Sequence, residues 1–196
     1  MDKLQEIFEK LDLEGQLPLD EIPSIDLYMD QVIQLFEKKF AESKRTPDEK
    51  ILTKTMINNY AKGKLLFPIK NKKYSKEHLI LISLIYQLKG ALSINDIKGA
   101  LSGINEKAEK GSFKLDDFYS SYLQLISKNT ADFKEALTQQ EKDLSAAAKE
   151  FENESEKATF EPVLTIASLV HMSNLYRRAA EKLVDHLQDK HESNGH

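Results

Sequence analysis

The chain of 196 residues contains no cysteine, which excludes disulfide bonds, thiolate metal sites and cysteine-based redox sensing. Glycine and proline are scarce, with seven and five residues, whereas 40% of the chain is hydrophobic and 31% is charged. Outside one short basic segment, no run alternates apolar and polar residues as a strand would. The composition therefore predicts a mainly α-helical protein.

Motifs of catalysis and cofactor binding are also missing. The sequence has no glycine-rich phosphate loop, no HExxH and no Ser/His/Asp arrangement. Acidic runs such as Asp116–Asp117 are typical of solvated helix surfaces. The histidines lack the spacing of zinc ligands: His78, His171, His186, His191 and His196. We expect a protein that is not an enzyme and that holds no metal and no cofactor.

No apolar run reaches the length of a membrane span, since the strongest one, residues 79–88, is about half the necessary length. The first residues, MDKLQEIFEKLDLEG, predict a short acidic amphipathic helix over residues 2–13. They lack the basic start and apolar core of a signal peptide. We therefore expect a cytoplasmic protein with no membrane contact.

Positive charge is concentrated in the middle of the chain. From Lys44 to Lys76 there are ten lysines and arginines against two acids, a local balance of +8 in a chain whose formal net charge is −4. A basic segment in an otherwise acidic protein is the pattern expected of phosphate binding. The alternative is a solvated lysine-rich loop, but here the segment coincides with a helix, a turn and a hairpin pattern.

The helix in this segment has clear boundaries. Thr53 or Thr55 can cap it, and its apolar residues Ile57 and Tyr60 fall on one face. Gly63 follows the last periodic residue, where a left-handed C-cap would end the helix. One face can thus be buried while the other contacts a partner.

The elements that follow are short. The basic segment 70–74 fits a hairpin, and Ser75 can cap a buried helix through residues 79–88. Ser93 opens a capping box and a last short helix that Gly103 would close.

Helices are also predicted on both sides of this central part. One is capped by Ser24 or Asp26. Two long amphipathic helices come later, over residues 115–151, continuous or broken near Asn129, and over residues 162–187. Two such helices joined by a short loop should form an antiparallel hairpin.

A resemblance can be stated from these motifs. TMINNYAKGKLLFP, KKYSKEHL and LKGALSINDIKGAL resemble the MerR-type DNA-binding domain, a winged helix-turn-helix with a small β-hairpin wing. LPLDEIPSIDLYMDQV, LTKTMINNY and KKYSKEHLILISLIYQLK resemble an uncharacterised bacterial family of unknown function, the YkrK-like proteins. The resemblance covers roughly residues 17–101.

The resemblance implies a recognition helix near residues 54–62 in the major groove and a basic wing, residues 70–74, on the DNA backbone. The lysines of the recognition helix and the wing would bind phosphates, and the asparagines of the recognition helix would contact base edges. Lys73 stands where the wider family has Arg. A compact ammonium group therefore replaces a planar guanidinium group that can make two parallel hydrogen bonds. The site residues carried over are Lys54, Thr55, Asn58, Asn59, Tyr60, Lys62, Lys70, Lys72, Lys73 and Tyr74.

We thus expect a MerR-like domain with N-terminal helices over residues 1–103 and a long-helix region over residues 104–196 for dimerisation or effector binding. The expected function is sequence-specific binding of double-stranded DNA by a homodimeric transcriptional regulator whose effector is unknown. A monomer with a bundle-like second half is the alternative to the dimer. The rival functions are a helical protein-interaction or adaptor module that meets an acidic partner and a small-molecule sensor with a DNA output.

Overall fold

The computed structural model describes residues 11, 13, 15–147 and 153–193. It confirms a mainly helical fold with one small antiparallel sheet. The chain divides into two compact units, unit 1 (residues 1–126) and unit 2 (residues 127–196). The described helices are α1 (Met29–Lys39), α2 (Lys54–Lys62), α3 (Lys76–Leu88), α4 (Ile94–Glu109), α5 (Leu115–Ala147) and α6 (Glu154–Ser193), and the strands are β1 (Leu27–Tyr28) and β2 (Lys73–Tyr74).

Helix α3 is the core of unit 1. Every residue from Leu79 to Ile85 is buried, as the apolar run predicted. The predicted cap is confirmed, because Ser75 precedes the helix in extended conformation and forms a capping box with His78. A helix apolar on all sides is stable only when other elements surround it. Helices α1 and α2 each supply buried side chains to this unit.

The start of α1 differs from the expectation. The helix expected to begin after Ser24 or Asp26 does not include Leu27 and Tyr28, which form β1 and pair antiparallel with Tyr74 and Lys73 respectively. Helix α1 begins only at Met29, after Tyr28 in extended conformation. The strand depends on a partner more than forty residues away, which a local apolar pattern does not reveal.

Helix α4 begins as predicted and ends later. Ser93 accepts a hydrogen bond from the backbone N–H of Asp96, so the predicted cap is confirmed. Gly103 does not end the helix, which continues to Glu109. The chain turns instead at Gly111, where the backbone is left-handed with φ of 61°.

The long helices also differ from the prediction at their ends. Helix α5 is continuous past Asn129. Helix α6 begins at Glu154, so residues 154–161, expected in the loop between the two long helices, are helical and Pro162 lies inside the helix. The helix predicted over residues 2–13 falls mostly outside the described residues.

Helix α5 starts as part of unit 1. Leu115 and Tyr119 are buried, and the Tyr119 hydroxyl donates a hydrogen bond to the Leu17 carbonyl at 2.8 Å. The same hydroxyl lies 2.9 Å from the Ser83 hydroxyl in α3. A buried hydroxyl is stable only when it is hydrogen-bonded. These contacts explain why the start of α5 belongs to unit 1.

Candidate nucleic-acid interface

Helix α2 has one buried face and one exposed face. Thr53, one of the two predicted caps, accepts a hydrogen bond from the Met56 backbone N–H at 3.2 Å. Ile57 and Tyr60 are buried. The exposed positions are Lys54, Thr55, Asn58, Asn59 and Lys62. The packing of the buried face therefore fixes which side chains of α2 a partner can reach.

The end of α2 does not use a left-handed glycine. Gly63 has a right-handed helical backbone, and Lys64 takes the left-handed conformation with φ of 59°. A Cβ on residue 63 would lie 3.0 Å from the Asn59 carbonyl oxygen and 2.8 Å from Leu65 Cδ1. A larger residue would thus be crowded against the backbone there, while the left-handed turn itself falls one residue later.

The basic segment forms a tight turn. The Lys73 N–H donates a hydrogen bond to the Lys70 carbonyl at 2.9 Å, and the two residues form a β-bridge. Both central residues are left-handed, with φ of 52° at Asn71 and 58° at Lys72. Asparagine tolerates that conformation, whereas lysine adopts it at a cost. The predicted turn is present, but the strand that follows it, β2, pairs mainly with β1.

The two tyrosines among the predicted site residues belong to the core. Tyr60 and Tyr74 are each 3% exposed, and burial raises the pKa of both phenols. The Tyr74 ring lies edge-on to the ring of His78, with ring centroids 5.9 Å apart. Their role in the fold is to hold α2 and β2 in place. The exposed groups beside them are lysines and asparagines.

The first turn of α1 brings α2 and the basic turn together. Lys54 Nζ lies 2.8 Å from a carboxylate oxygen of Asp30. Lys73 Nζ lies 5.2 Å from the centre of the Tyr28 ring, within cation–π range. Tyr28 and Asp30 are only two residues apart, so both lysines reach the same end of α1. Sequence reasoning missed these two residues because their role depends on the β1–β2 pairing.

The lysines of this region differ in their partners. Lys44 pairs with Glu37, Lys76 with Asp116 and Lys54 with Asp30. No carboxylate among the described residues forms an ion pair with Lys62, Lys64, Lys70 or Lys72. We call Thr55, Asn58, Asn59 and Lys62 together with Lys70, Asn71 and Lys72 the basic surface. Its charge is available to an external anion.

A glutamate of α1 positions the start of α2. The Glu37 carboxylate accepts hydrogen bonds from the Ile51 N–H at 2.8 Å and from Lys44 Nζ at 2.6 Å. The hydrogen bond from Lys44 is the largest cause that lowers the pKa of Glu37. The connection before α2 is therefore held to α1 although its residues 45–50 are exposed.

His78 joins α3 to the segment that follows α2. Its Nδ1 accepts a hydrogen bond from the Ser75 N–H at 3.1 Å, and its Nε2 lies 3.2 Å from the Phe67 carbonyl. The acceptor role at Nδ1 indicates a neutral ring with its proton on Nε2. Burial is the main cause that lowers the pKa of this imidazole. A neutral histidine thus fixes the chain on both sides of the basic turn.

Two other kinds of feature are absent from the part of the chain that the structure describes. No helix within the described ranges has the length and apolar character needed to cross a membrane. Within the same ranges, histidine and acidic side chains nowhere gather in the groups of three or more that could hold a metal ion.

Comparison with known proteins identifies a family for unit 1. A family model described as "Domain of unknown function (DUF1836)" matches residues 17–122. The match covers more than half of the chain and most of unit 1. Comparisons with curated proteins and with solved structures gave no match.

Proposed function

The chain belongs to this family, described as a domain of unknown function, and we propose that its unit 1 is a MerR-like winged helix-turn-helix that binds double-stranded DNA. In this proposal α2 is the recognition helix, α1 is the helix that supports it, and the turn at residues 70–73 is the wing. A regulator of transcription is the role that follows.

The observation that carries the proposal is the position of two lysines beside an exposed polar helix face. Lys54 begins α2 and Lys73 ends the basic turn, and both reach the first turn of α1. The exposed asparagines of α2 follow Lys54 by one helical turn. A DNA-binding helix needs such an arrangement, because phosphate contacts fix its register while neighbouring side chains read bases.

The exposed side chains have separate roles in this proposal. Four lysines bind phosphates through charge and carry no sequence information: Lys62, Lys70, Lys72 and Lys73. Asn58 and Asn59 read bases, since an asparagine amide can donate to and accept from adenine in the major groove. Thr55 is a further base contact. Tyr60 and Tyr74 support these residues from the core and make no DNA contact.

The Lys54–Asp30 pair limits binding in the free protein. Both side chains are about two-thirds exposed, so the pair contributes little to stability and a phosphate can displace the carboxylate. DNA must compete with Asp30 for this lysine. Removal of the carboxylate charge should therefore strengthen binding.

The test is a fluorescence anisotropy titration of the full chain against a labelled random-sequence duplex over a series of salt concentrations. Lys72→Ala with Lys73→Ala should weaken binding and lower the slope of log affinity against log salt by about two, because each phosphate contact contributes about one. Asp30→Asn should raise affinity roughly twofold to fivefold, the strength of an exposed ion pair. Lys134→Ala with Lys142→Ala in unit 2 is the charge-matched control and should leave both quantities unchanged.

Base reading needs a second measurement. Sequences selected by the full chain from a random duplex library should share a motif, and Asn58→Ala should relax the preference at one position by about 1–3 kcal/mol while keeping affinity for random duplex. If the double lysine variant binds duplex as the wild type does, the wing assignment is wrong. Tighter binding to poly-glutamate than to duplex would favour the adaptor function instead.

A further inference from the structure

Tyr28 is an exposed aromatic residue at the point where helix α1, helix α2 and the basic turn meet. It is 53% exposed. Of the seven tyrosines in the chain, five are buried or half-buried, and the other exposed one, Tyr176, lies in unit 2. A single exposed large side chain is common on protein surfaces. The surroundings of Tyr28 are what make it informative.

The fold holds the Tyr28 ring at the surface in a defined direction. The residue pairs with Lys73 across the small sheet, and its N–H donates a hydrogen bond to the Gln31 side chain at 2.9 Å. Successive residues of a strand point to opposite faces. Leu27, which is 6% exposed, therefore points into the core, and Tyr28 points outward.

Two lysines of the candidate interface reach the residues around this ring. Lys73 Nζ lies 5.2 Å from the ring centre, and Lys54 Nζ lies 2.8 Å from Asp30, two residues further along the chain. Lys54 is the first residue of α2, and Lys73 is the first residue of β2, directly after the turn. The ring thus lies at the junction of the proposed recognition helix and wing. A duplex in contact with both elements would pass over Tyr28.

A phenol side chain has two groups that suit the DNA backbone. Its apolar ring can pack on a deoxyribose, and its hydroxyl can donate a hydrogen bond to a phosphate oxygen. A phenol hydroxyl is uncharged at neutral pH. Its contact with a phosphate therefore releases no counterion from the DNA, unlike the contact of a lysine.

We propose that Tyr28 is a DNA-contacting residue whose ring packs on the sugar–phosphate backbone and whose hydroxyl donates a hydrogen bond to a phosphate oxygen, between the contacts of α2 and those of the wing. This inference rests on the function proposed for unit 1. The contact adds affinity that is independent of salt concentration. In the free protein the same ring attracts the Lys73 ammonium group and keeps it at the interface.

The chain contains no tryptophan, so Tyr28→Trp introduces a single fluorescent reporter at the proposed contact. Tryptophan suits an exposed strand position. Acrylamide should quench this reporter readily in the free full-length protein, and saturation with random-sequence duplex should lower the quenching constant by about twofold or more, because contact excludes water and solutes. Acrylamide is neutral, so the change reports coverage of the ring. Tyr176→Trp is the matched control and should be quenched equally with and without duplex.

Anisotropy titrations of a labelled random-sequence duplex measure what the side chain contributes to affinity. Tyr28→Phe keeps the ring and its attraction for Lys73, and it should weaken binding by roughly twofold to tenfold, the value of one hydrogen bond. Tyr28→Ala should weaken binding further. Neither variant should change the slope of log affinity against log salt, because neither removes a charge. Tyr176→Ala should bind as the wild type does.

A double variant separates direct contact from an effect through Lys73. If Tyr28 acted only by holding Lys73, Tyr28→Ala would have no effect in a chain that already carries Lys73→Ala. The proposal requires that Tyr28→Ala weaken binding in that chain as well, again without a change in salt slope. Far-UV circular dichroism should show each variant folded.

Each contrary result has a defined meaning. If duplex binds but leaves quenching at position 28 unchanged, the Tyr28 contact is wrong while the function proposed for unit 1 stands. If Tyr28→Ala has no effect in the Lys73→Ala chain, Tyr28 positions Lys73 and does not contact DNA. Stronger protection by single-stranded DNA than by duplex would replace the backbone contact with stacking on a base. A wild-type chain that binds no duplex overturns both this proposal and the function proposed for unit 1.

Discussion

At the scale of single residues, the most informative side chain is Lys72. It occupies a left-handed position in a tight turn where Asn-Gly is the preferred pair, and the chain has Asn71-Lys72 instead. A lysine in this conformation costs of order 1 kcal/mol or more relative to an unstrained backbone. Strain of this kind persists where a side chain has a use, and an exposed ammonium group at the tip of a basic turn is suited to bind a phosphate.

Lys72→Gly should therefore separate stability from binding. Glycine accepts the left-handed backbone, so the free energy of unfolding in urea should stay the same or rise by up to about 1 kcal/mol. Affinity for random duplex should fall, with a salt slope lower by about one. Lys70→Gly removes the same charge, but the backbone of residue 70 is not left-handed and gains nothing from glycine. This variant should lose both stability and duplex affinity. Unchanged duplex affinity in Lys72→Gly would contradict the role assigned to its ammonium group.

At the scale of elements, α3 and the segments beside it depend on a neutral histidine. His78 accepts the Ser75 N–H at the start of the helix and reaches the Phe67 carbonyl before the basic turn. Protonation at Nδ1 would remove the acceptor. Since the ring is buried, the folded protein binds this proton less readily than the unfolded chain does, and the pKa of His78 is lowered from 6.5.

This difference gives stability a defined pH dependence. Between the lowered folded pKa of His78 and 6.5, the unfolded chain binds more protons than the folded one, so stability rises with pH. The contribution is fully present above about 6.5 and is lost as the pH falls from there through the folded pKa. Urea unfolding of the wild type and of His78→Gln from pH 7.5 to pH 5.5 should show a steeper loss in the wild type. Parallel curves would mean that His78 does not couple to folding.

At the scale of the whole molecule, the two units have different reasons to be stable. Unit 1 has a continuous apolar core around α3, with buried hydroxyls paired across elements. In unit 2, Leu137 and Val184 are the large apolar residues buried among those described, while ten large apolar side chains of α6 are at least 39% exposed. Unit 2 should therefore be less stable than unit 1.

Thermal unfolding should show this difference. The buried tyrosines Tyr60, Tyr74 and Tyr119 all belong to unit 1, so near-UV circular dichroism should follow the unfolding of that unit. The far-UV signal, to which the long helices of unit 2 contribute, should begin to fall at a lower temperature than the near-UV signal. Coincident transitions by the two signals would contradict a difference in stability between the units.

Several features of the candidate site could be predicted from the sequence alone. The exposed and buried faces of α2, the Thr53 and Ser75 caps and the basic turn all follow from short-range periodicity and capping chemistry. The sequence did not identify Tyr28 and Asp30 as neighbours of Lys73 and Lys54. These contacts join residues more than twenty positions apart, and no local pattern encodes them.

The sequence by itself determined the helical class, the buried helix through residues 79–85 and the position of the positive charge, because these depend on composition and on spacing within one element. Only the tertiary structure decided that residues 27–28 form a strand, that Tyr60 and Tyr74 are core, that α4 continues past Gly103 and that the apolar side of α6 faces outward. The physical reason is that strand pairing and burial are set by partners distant in the chain, whereas helix periodicity and capping are set by residues three or four positions apart.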